Sequence, residues 1–301
     1  MKPRERNPTE YRFSVVIPTY NRPEALRKCL IAMTTLDYPK SRFEIIVVDD
    51  GGPQPIRPVV AAFENRLHIR LLRTENHGPA YARNVGVSAA RGDWVAFTDD
   101  DCRVDPAWLR QLEECLSKHP DRLIGGRIVN LLESNLFSVV SQEIIHMAYE
   151  FYNRSPGDAR FFASNNMAVN RSAFEAMAGF DAAFARASED RDLCDRWLLS
   201  DRGMAYCPRA MVWHAHSLSL GGFLRQHFRY GRGAYQYHQA RRQRRSGTMA
   251  CDTGFHLQLP RLVWERCKGT APVRAVGVIS LLMLWEIANL AGYMYEKLEA
   301  E

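Results

Sequence analysis

Carboxylates gather at three places in this chain: Asp49-Asp50, Asp99-Asp100-Asp101 and Glu189-Asp190. Adjacent like charges repel, and a bound cation or a helix N-terminus offsets that cost. In Asp99-Asp100-Asp101, two carboxylates one residue apart can hold a hard divalent cation together with a diphosphate. The same triplet can instead cap a helix beginning near Pro106. Asp49-Asp50, followed by Gly51-Gly52, can accept hydrogen bonds from a base N–H or a ribose hydroxyl while the glycines let the backbone approach the ligand. A plain strand-ending turn has the same composition. Glu189 and Asp190 follow a turn of small residues, 185–188, and open a helix whose dipole favours negative charge; one of them can equally act as general base toward a hydroxyl.

Other groups suit the same chemistry. His214 and His216, in Trp213-His214-Ala215-His216, offer imidazoles that can complete a metal shell; two histidines at this spacing also occur as structural residues. Arg83 can reach a phosphate or a base. Gln226, Arg229, Tyr230 and Arg232 lie in a basic, aromatic stretch that can neutralise a diphosphate or cover an acceptor, or else form a solvated basic helix.

These residues need a scaffold that brings them together. Apolar runs at 13–17, 45–48, 69–72 and 94–97 alternate with helical patterns at 24–33 and 79–90, which implies βαβ units and a parallel sheet. In such sheets ligands sit beyond the carboxyl ends of the strands. Pro18-Thr19-Tyr20-Asn21-Arg22, Asp49-Asp50 and Asp99-Asp100-Asp101 all occupy that position. Further on, a helix is expected from Pro106 to Leu116, strands near 123–129, 161–169 and 211–214, and a helix from Ser188 to Leu199. Residues 131–159 give no clear pattern.

A chain of 301 residues with 46% hydrophobic and 25% charged residues can bury a full enzyme core, which excludes disordered and collagen-like classes. The net charge of +6 suits an anionic ligand or surface. Seven scattered cysteines without a CxxC pair signal neither a disulfide framework nor a zinc site, so a reducing cytoplasm is expected. Residues 1–12 read as a flexible lead. Near the C-terminus, Arg225 to Arg245 is strongly basic and Ala271 to Tyr295 is apolar, about the 20-residue length that spans a bilayer. Glu286 inside it would be costly at mid-membrane, so a helix lying in the membrane interface competes with one that crosses, with a core helix or an oligomer contact as the alternatives.

In their order along the chain, these motifs resemble the family 2 glycosyltransferases of GT-A fold. The resemblance spans Phe13 to Gly233. It rests on Val16-Ile17-Pro18-Thr19-Tyr20-Asn21-Arg22, Val47-Val48-Asp49-Asp50-Gly51, Ala82-Arg83-Asn84-Val85-Gly86, Phe97-Thr98-Asp99-Asp100-Asp101 and Glu189-Asp190. It implies an α/β fold: a nucleotide-binding, mixed, mostly parallel sheet flanked by helices, with a helical, membrane-associating C-terminal segment. The catalytic domain would cover 13–235, with a nucleotide-sugar half at 13–105 and an acceptor half at 106–235; residues 236–301 would form the C-terminal segment. Asp49 and Asp50, with Pro18, Thr19, Tyr20, Arg22, Arg83, Asp99 and Asp100, would bind the nucleoside-diphosphate sugar. Asp99, Asp101 and His216 would hold Mn²⁺ or Mg²⁺, and Asp190, beside Glu189, would be the catalytic base of an inverting transfer. Gln226-x-x-Arg229-Tyr230 resembles the Gln-x-x-Arg-Trp motif of polymerising members with tyrosine replacing tryptophan, which favours single addition. The expected acceptor is a cell-envelope or lipid-linked glycan at the cytoplasmic face of the plasma membrane.

Two rivals fit less well. A nucleotidyltransferase would carry a glycine-rich basic loop after the first strand, and residues 18–23 contain no glycine. A non-catalytic nucleotide-sugar- or nucleic-acid-binding protein could use the basic stretch, but carboxylates at the strand ends repel phosphates. No nucleic-acid partner is expected.

Overall fold

The computed structural model describes residues 11–154, 159–247, 250–269 and 271–301. Most of the lead assigned to residues 1–12 therefore lies outside the described residues, as do residues 155–158.

Eight strands form one sheet: β1 (Phe13–Thr19), β2 (Phe43–Asp49), β3 (Ile69–Arg73), β4 (Trp94–Phe97), β5 (Cys102–Val104), β6 (Leu123–Asn130), β7 (Met167–Asn170) and β8 (Met204–His214). Their spatial order is β3-β2-β1-β4-β7-β6-β8-β5. The β3-β2-β1-β4 half is parallel, β7 runs antiparallel to both β4 and β6, β6 and β8 are parallel, and β5 closes the edge antiparallel to β8. The sheet is thus mixed and mostly parallel, as expected.

β1 and β2 are buried at every position because helices cover both faces. Val15 and Ile17 point into one core with α1 (Pro23–Thr34), α2 (Arg57–Ala61) and α4 (Trp108–Lys118). Val16 points into a second core with α3 (Pro79–Ser88), α6 (Arg171–Ala176) and α7 (Glu189–Leu199). This is the two-residue alternation of a strand expressed between two apolar layers.

A third core joins α5 (Leu136–Tyr152), α8 (Leu220–Arg244), α9 (Ala250–Cys267) and α10 (Pro272–Ala300) through Val140, Ile144, Phe223, Phe255, Leu281 and Trp285. Here α8 and α10 approach as closely as backbones allow. A Cβ on Gly231 would strike the carbonyl of Asn289, and one on Gly292 would strike that of Phe228. Glycine is required at both positions by this contact. The buried carboxylate of Glu296 on α10 pairs with Arg232 and accepts from Gln236 at 2.5 Å, both on α8. Residue 235 lies inside α8, which runs unbroken for 25 residues. The remaining surface of α10 stays apolar: Val276, Met283, Ile287, Leu290 and Leu298 are exposed, and Glu286 pairs with His256 of α9 at 2.8 Å.

Several expectations need correction. The unpatterned stretch 131–159 contains the 17-residue helix α5, whose mixed apolar surface faces two neighbours at once. The strand expected at 161–169 is extended only from Met167; residues 164–166 form a single 3-10 turn. The last strand begins seven residues earlier than expected, at Met204. Cys115 of α4 and Cys207 of β8 form a disulfide across 92 residues of sequence, a pairing that no local spacing announces.

Candidate active site

The carboxyl ends of β1, β2 and β4 open into a cleft of ≈ 1750 Å³. Pro18, Thr19, Tyr20, Arg22, Asp50, Arg83, Asp99, Asp101, Glu189 and Asp190 line it, as do His214, His216, Gln226, Arg229, Tyr230 and Arg232. Asp49 and Asp100 do not.

At the end of β2, the Asp49 carboxylate accepts from the backbone N–H of Gly52 at 3.0 Å and from Arg73 at 2.8 Å. It fixes the turn from below. Asp50 accepts from Thr74 Oγ1 at 3.2 Å and from the backbone N–H groups of His77 and Gly78 at 3.0 and 2.9 Å. Those bonds shape the 74–78 loop and leave Oδ2 with capacity for one more donor.

At the end of β4 the three aspartates diverge. Asp100 is wholly buried, accepting from Thr19 Oγ1 at 2.6 Å and pairing with Arg22 at 2.7 Å. Burial pushes its carboxyl up to about 7, against the pull of Arg22 and the Thr19 bond and with the push of Asp101 and Asp99. Asp99 turns to Arg83, 2.7 Å away. Asp101 meets Arg22 at 2.8 Å and His214 Nε2 at 3.4 Å.

One oxygen of Asp101 and one ring nitrogen each of His214 and His216 all lie within 4.8 Å of one another. The strand β8 ends on His214, which pairs in register with Cys102, and His216 follows two residues beyond it. Burial of Asp101 opposes its charge, yet the hydrogen bond and charge of His214, with Arg22 and His216, outweigh it and hold the carboxylate below its ordinary range. Burial likewise opposes charging of His214, but Asp101 overrides it and raises the imidazole. Burial, then the neighbouring His214, lower His216 to about 4. A carboxylate and two imidazoles so converged fit one divalent cation, with a mixed oxygen and nitrogen set that suits a transition ion such as Mn²⁺ better than Mg²⁺. Both histidines belong to the cluster, not His216 alone, and Asp99 lies outside it.

Arg83 links this turn to α7. Its guanidinium is 3% exposed and bridges Asp99 at 2.7 Å and Glu189 at 3.0 Å. Asp190 follows Glu189 on the first turn of α7, and its carboxylate accepts from the backbone N–H of Arg191 at 2.8 Å. Burial and the charge of Glu189 raise Asp190 to about 7, despite that bond and the charges of Arg83 and Arg191. The turn before it is strained, with Ser188 at φ 75°, and α8 packs on it where Gly233 leaves room for the Ala187 carbonyl.

From α8, Gln226 donates to Ser141 at 3.2 Å, and the exposed Tyr230 lines the cleft beside Asp190 and Glu189. Arg229 is exposed with no ion pair among the described residues. Arg232 is committed to Glu296. Sequence reasoning missed His227, 1% exposed on the same helix, where burial and then His216 lower its imidazole to about 3. Its only signal was a place one residue after Gln226.

Residues 14–177 match the family model described as glycosyl transferase family 2. The glycosyltransferase AglE of Haloferax volcanii is 36% identical over 118 residues, 38% of either chain. The pre-mycofactocin glycosyltransferase of Mycobacterium tuberculosis is 29% identical over 235 residues, which is 75% of this chain and 47% of that one. The matched region thus spans less than half the length of these relatives. Among solved structures, the mannosyltransferase PcManGT from Pyrobaculum calidifontis, in complex with GDP-Man and Mn²⁺, superposes with a TM-score of 0.70 at 17% identity, covering 100% of this chain and 92% of that one.

Proposed function

The chain belongs to glycosyl transferase family 2, and from that premise we propose that it moves a sugar from a nucleoside-diphosphate sugar to an acceptor hydroxyl, inverting the anomeric configuration in one addition. The observation that carries this reading is that Asp190 and the Asp101, His214, His216 cluster line one cleft, joined through the Asp99–Arg83–Glu189 bridge.

The nucleoside lies against Pro18, Thr19 and Tyr20, with the free capacity of Asp50 Oδ2 taken by a base or ribose donor. Asp49 and Asp100 act from behind this surface by fixing its turns. Asp101, His214 and His216 hold Mn²⁺ or Mg²⁺, and a cation there supplies Lewis-acid neutralisation of the diphosphate. Arg229 adds a planar positive charge over the same region. Asp190, raised to about 7, is ionised at neutral pH often enough to accept the proton of an acceptor hydroxyl, while its raised pKa gives that transfer driving force. Arg83 favours its charged form against the push of the neighbouring Glu189.

The apolar exposed side of α10 and the exposed Arg225 and Arg229 of α8 favour a site on an anionic membrane surface, with a cell-envelope or lipid-linked acceptor. Because α10 is bound to α8 through Gly231, Gly292 and Glu296, the reading has it lie on the membrane and not cross it.

Calorimetric titration of UDP and GDP, with and without Mn²⁺, tests the core of this reading. Binding that requires metal and is lost in Asp101→Ala is expected; absence of binding by any nucleoside diphosphate in either condition would sink it.

A further inference from the structure

The cleft is larger than its chemistry needs. Sites for compact ligands occupy about 300–1,000 Å³, against ≈ 1750 Å³ here. The surplus lies between α5, α8, α9 and α10, where Ile144, Ile145, Ala148, Phe255 and Trp285 line it beside the Glu286–His256 pair. At its outer end stand Ile287, Leu290 and Met294, the first two more than 60% exposed, so the apolar lining continues onto the exposed side of α10. His227 marks the inner end of this arm. It lines the cleft and feels the charge of His216, and its ring packs against Phe223, Tyr230 and Trp285 at 4.4, 5.5 and 6.3 Å. Neither of its nitrogens has a hydrogen-bond partner among the described residues, although the side chain is 1% exposed. Buried imidazoles are ordinarily bonded, and the cleft is the direction from which a partner can come.

We propose that this arm is a binding site for the hydrocarbon chain of an amphiphilic acceptor, with His227 bonding the first polar atom of its head group and the chain leaving past Leu290 toward a lipid surface. The inference rests on the transferase reading and specifies its acceptor: a single-chain lipid or a lipid-linked sugar in place of a soluble glycan. The head group then lies between His227 and Asp190, and the exposed stripe of α10 sits where the chain emerges.

Trp285 is a built-in reporter, since a bromine atom in contact with an indole quenches its fluorescence. The full chain carrying Trp264→Phe, to remove the exposed indole of α9, is titrated with 4-bromobutan-1-ol, 8-bromooctan-1-ol and 12-bromododecan-1-ol, each below its aggregation limit. Affinity is expected to rise up to about fourfold per methylene until the arm is filled, with quenching abolished by Trp285→Phe. His227→Phe is expected to weaken every member by about 2- to 10-fold while leaving the length dependence intact. Ala148→Phe, which narrows the arm while keeping the Trp285 indole as reporter, should weaken the dodecyl probe at least tenfold and leave the butyl probe unchanged. A flat length dependence, or equal quenching after Trp285→Phe, overturns the proposal. Titration of UDP and GDP with Mn²⁺ on the same protein reports separately on the transferase reading, so the two can fail independently.

Discussion

Replacing Arg83 with methionine keeps most of the side-chain volume and removes the charge that joins Asp99 to Glu189. The guanidinium is 3% exposed, and its partners' side chains are 26% and 10% exposed, so water can replace it at Asp99 only in part and at Glu189 hardly at all. Breaking one side of a buried ion pair costs about 3–5 kcal/mol. For a chain of 301 residues, with an unfolding entropy of about 2.1 cal/mol/K per residue, that is a fall in Tm of roughly 5–8 °C. A second effect separates structure from chemistry. Arg83 is among the charges that restrain the rise of Asp190, whose carboxyl stands at about 7. Without it the carboxylate is harder to form, so the acid limb of kcat/KM, which follows ionisation of the base, moves to higher pH. The variant therefore loses more activity at pH 7 than at pH 9. Arg83→Lys keeps a charge without the bidentate fork and is expected to shift the limb less. Differential scanning calorimetry and a pH profile of transfer at saturating Mn²⁺ measure both effects. A folded Arg83→Met protein whose acid limb stays in place, or moves to lower pH, refutes the assignment of Asp190 as the base that Arg83 tunes.

Asp190→Asn is expected to lower kcat by about 10²- to 10⁴-fold while UDP or GDP titrations return the wild-type affinity; an unchanged kcat would remove Asp190 from the reaction. His214→Ala and His216→Ala should each weaken Mn²⁺ at least about tenfold, read by electron paramagnetic resonance of the free ion, and wild-type affinity should fall with falling pH because the raised imidazole of His214 must lose its proton to bind. Asp100 binds its proton more tightly in the folded state than in the unfolded one, so it takes stability away as pH rises from 3.8 to about 7. In chelator, Asp100→Asn should therefore flatten, though not abolish, the decline of Tm across that window, since Asp190 contributes a decline of the same sign. Met283→Glu and Val276→Glu, on exposed turns of α10 away from the cleft lining, should each reduce co-sedimentation with phosphatidylglycerol vesicles by more than about tenfold; equal sedimentation would separate this helix from any membrane.

The half of the site built on β1, β2 and β4 was legible because each strand is a continuous apolar run ended by its functional residue, so position along the chain and position in the sheet coincide. The other half was legible only as chemistry. The family motif indicates Asp99 and Asp101 as a pair, but only the fold turns Asp99 toward Arg83 and leaves Asp101 facing β8. The choice between His214 and His216 had no answer in spacing: β8 ends at His214, and the Ala215 N–H bonded to the Asp101 carbonyl keeps the next residues beside Asp101, so both rings reach it. Likewise, Asp49 and Asp50 are neighbours of one type, yet Asp49, the last residue of β2, turns to Arg73, and Asp50, just past the strand, turns to the 74–78 loop. Helix α5 escaped because two of its faces are buried, which removes the polar stripe that periodicity detects. The Cys115–Cys207 bond joins elements that only the tertiary structure brings together.

The C-terminal helix is better understood as a wall of the cleft than as a tail. An appended anchor would be free to carry polar spacers and would tolerate side chains at its crossing with α8. Instead, Gly231 and Gly292 are in backbone contact, and the carboxylate of Glu296 is buried beneath Arg232 and Gln236. Trp285, from the same helix, reaches the third core and the ring of His227. Through these contacts α10 fixes the position of α8, and α8 in turn supplies Gln226, Arg229 and Tyr230 to the cleft and holds the strained turn before Asp190. If the exposed side of α10 meets lipid and Asp190 is the base, as proposed, one rigid element both presents the acceptor and braces the base.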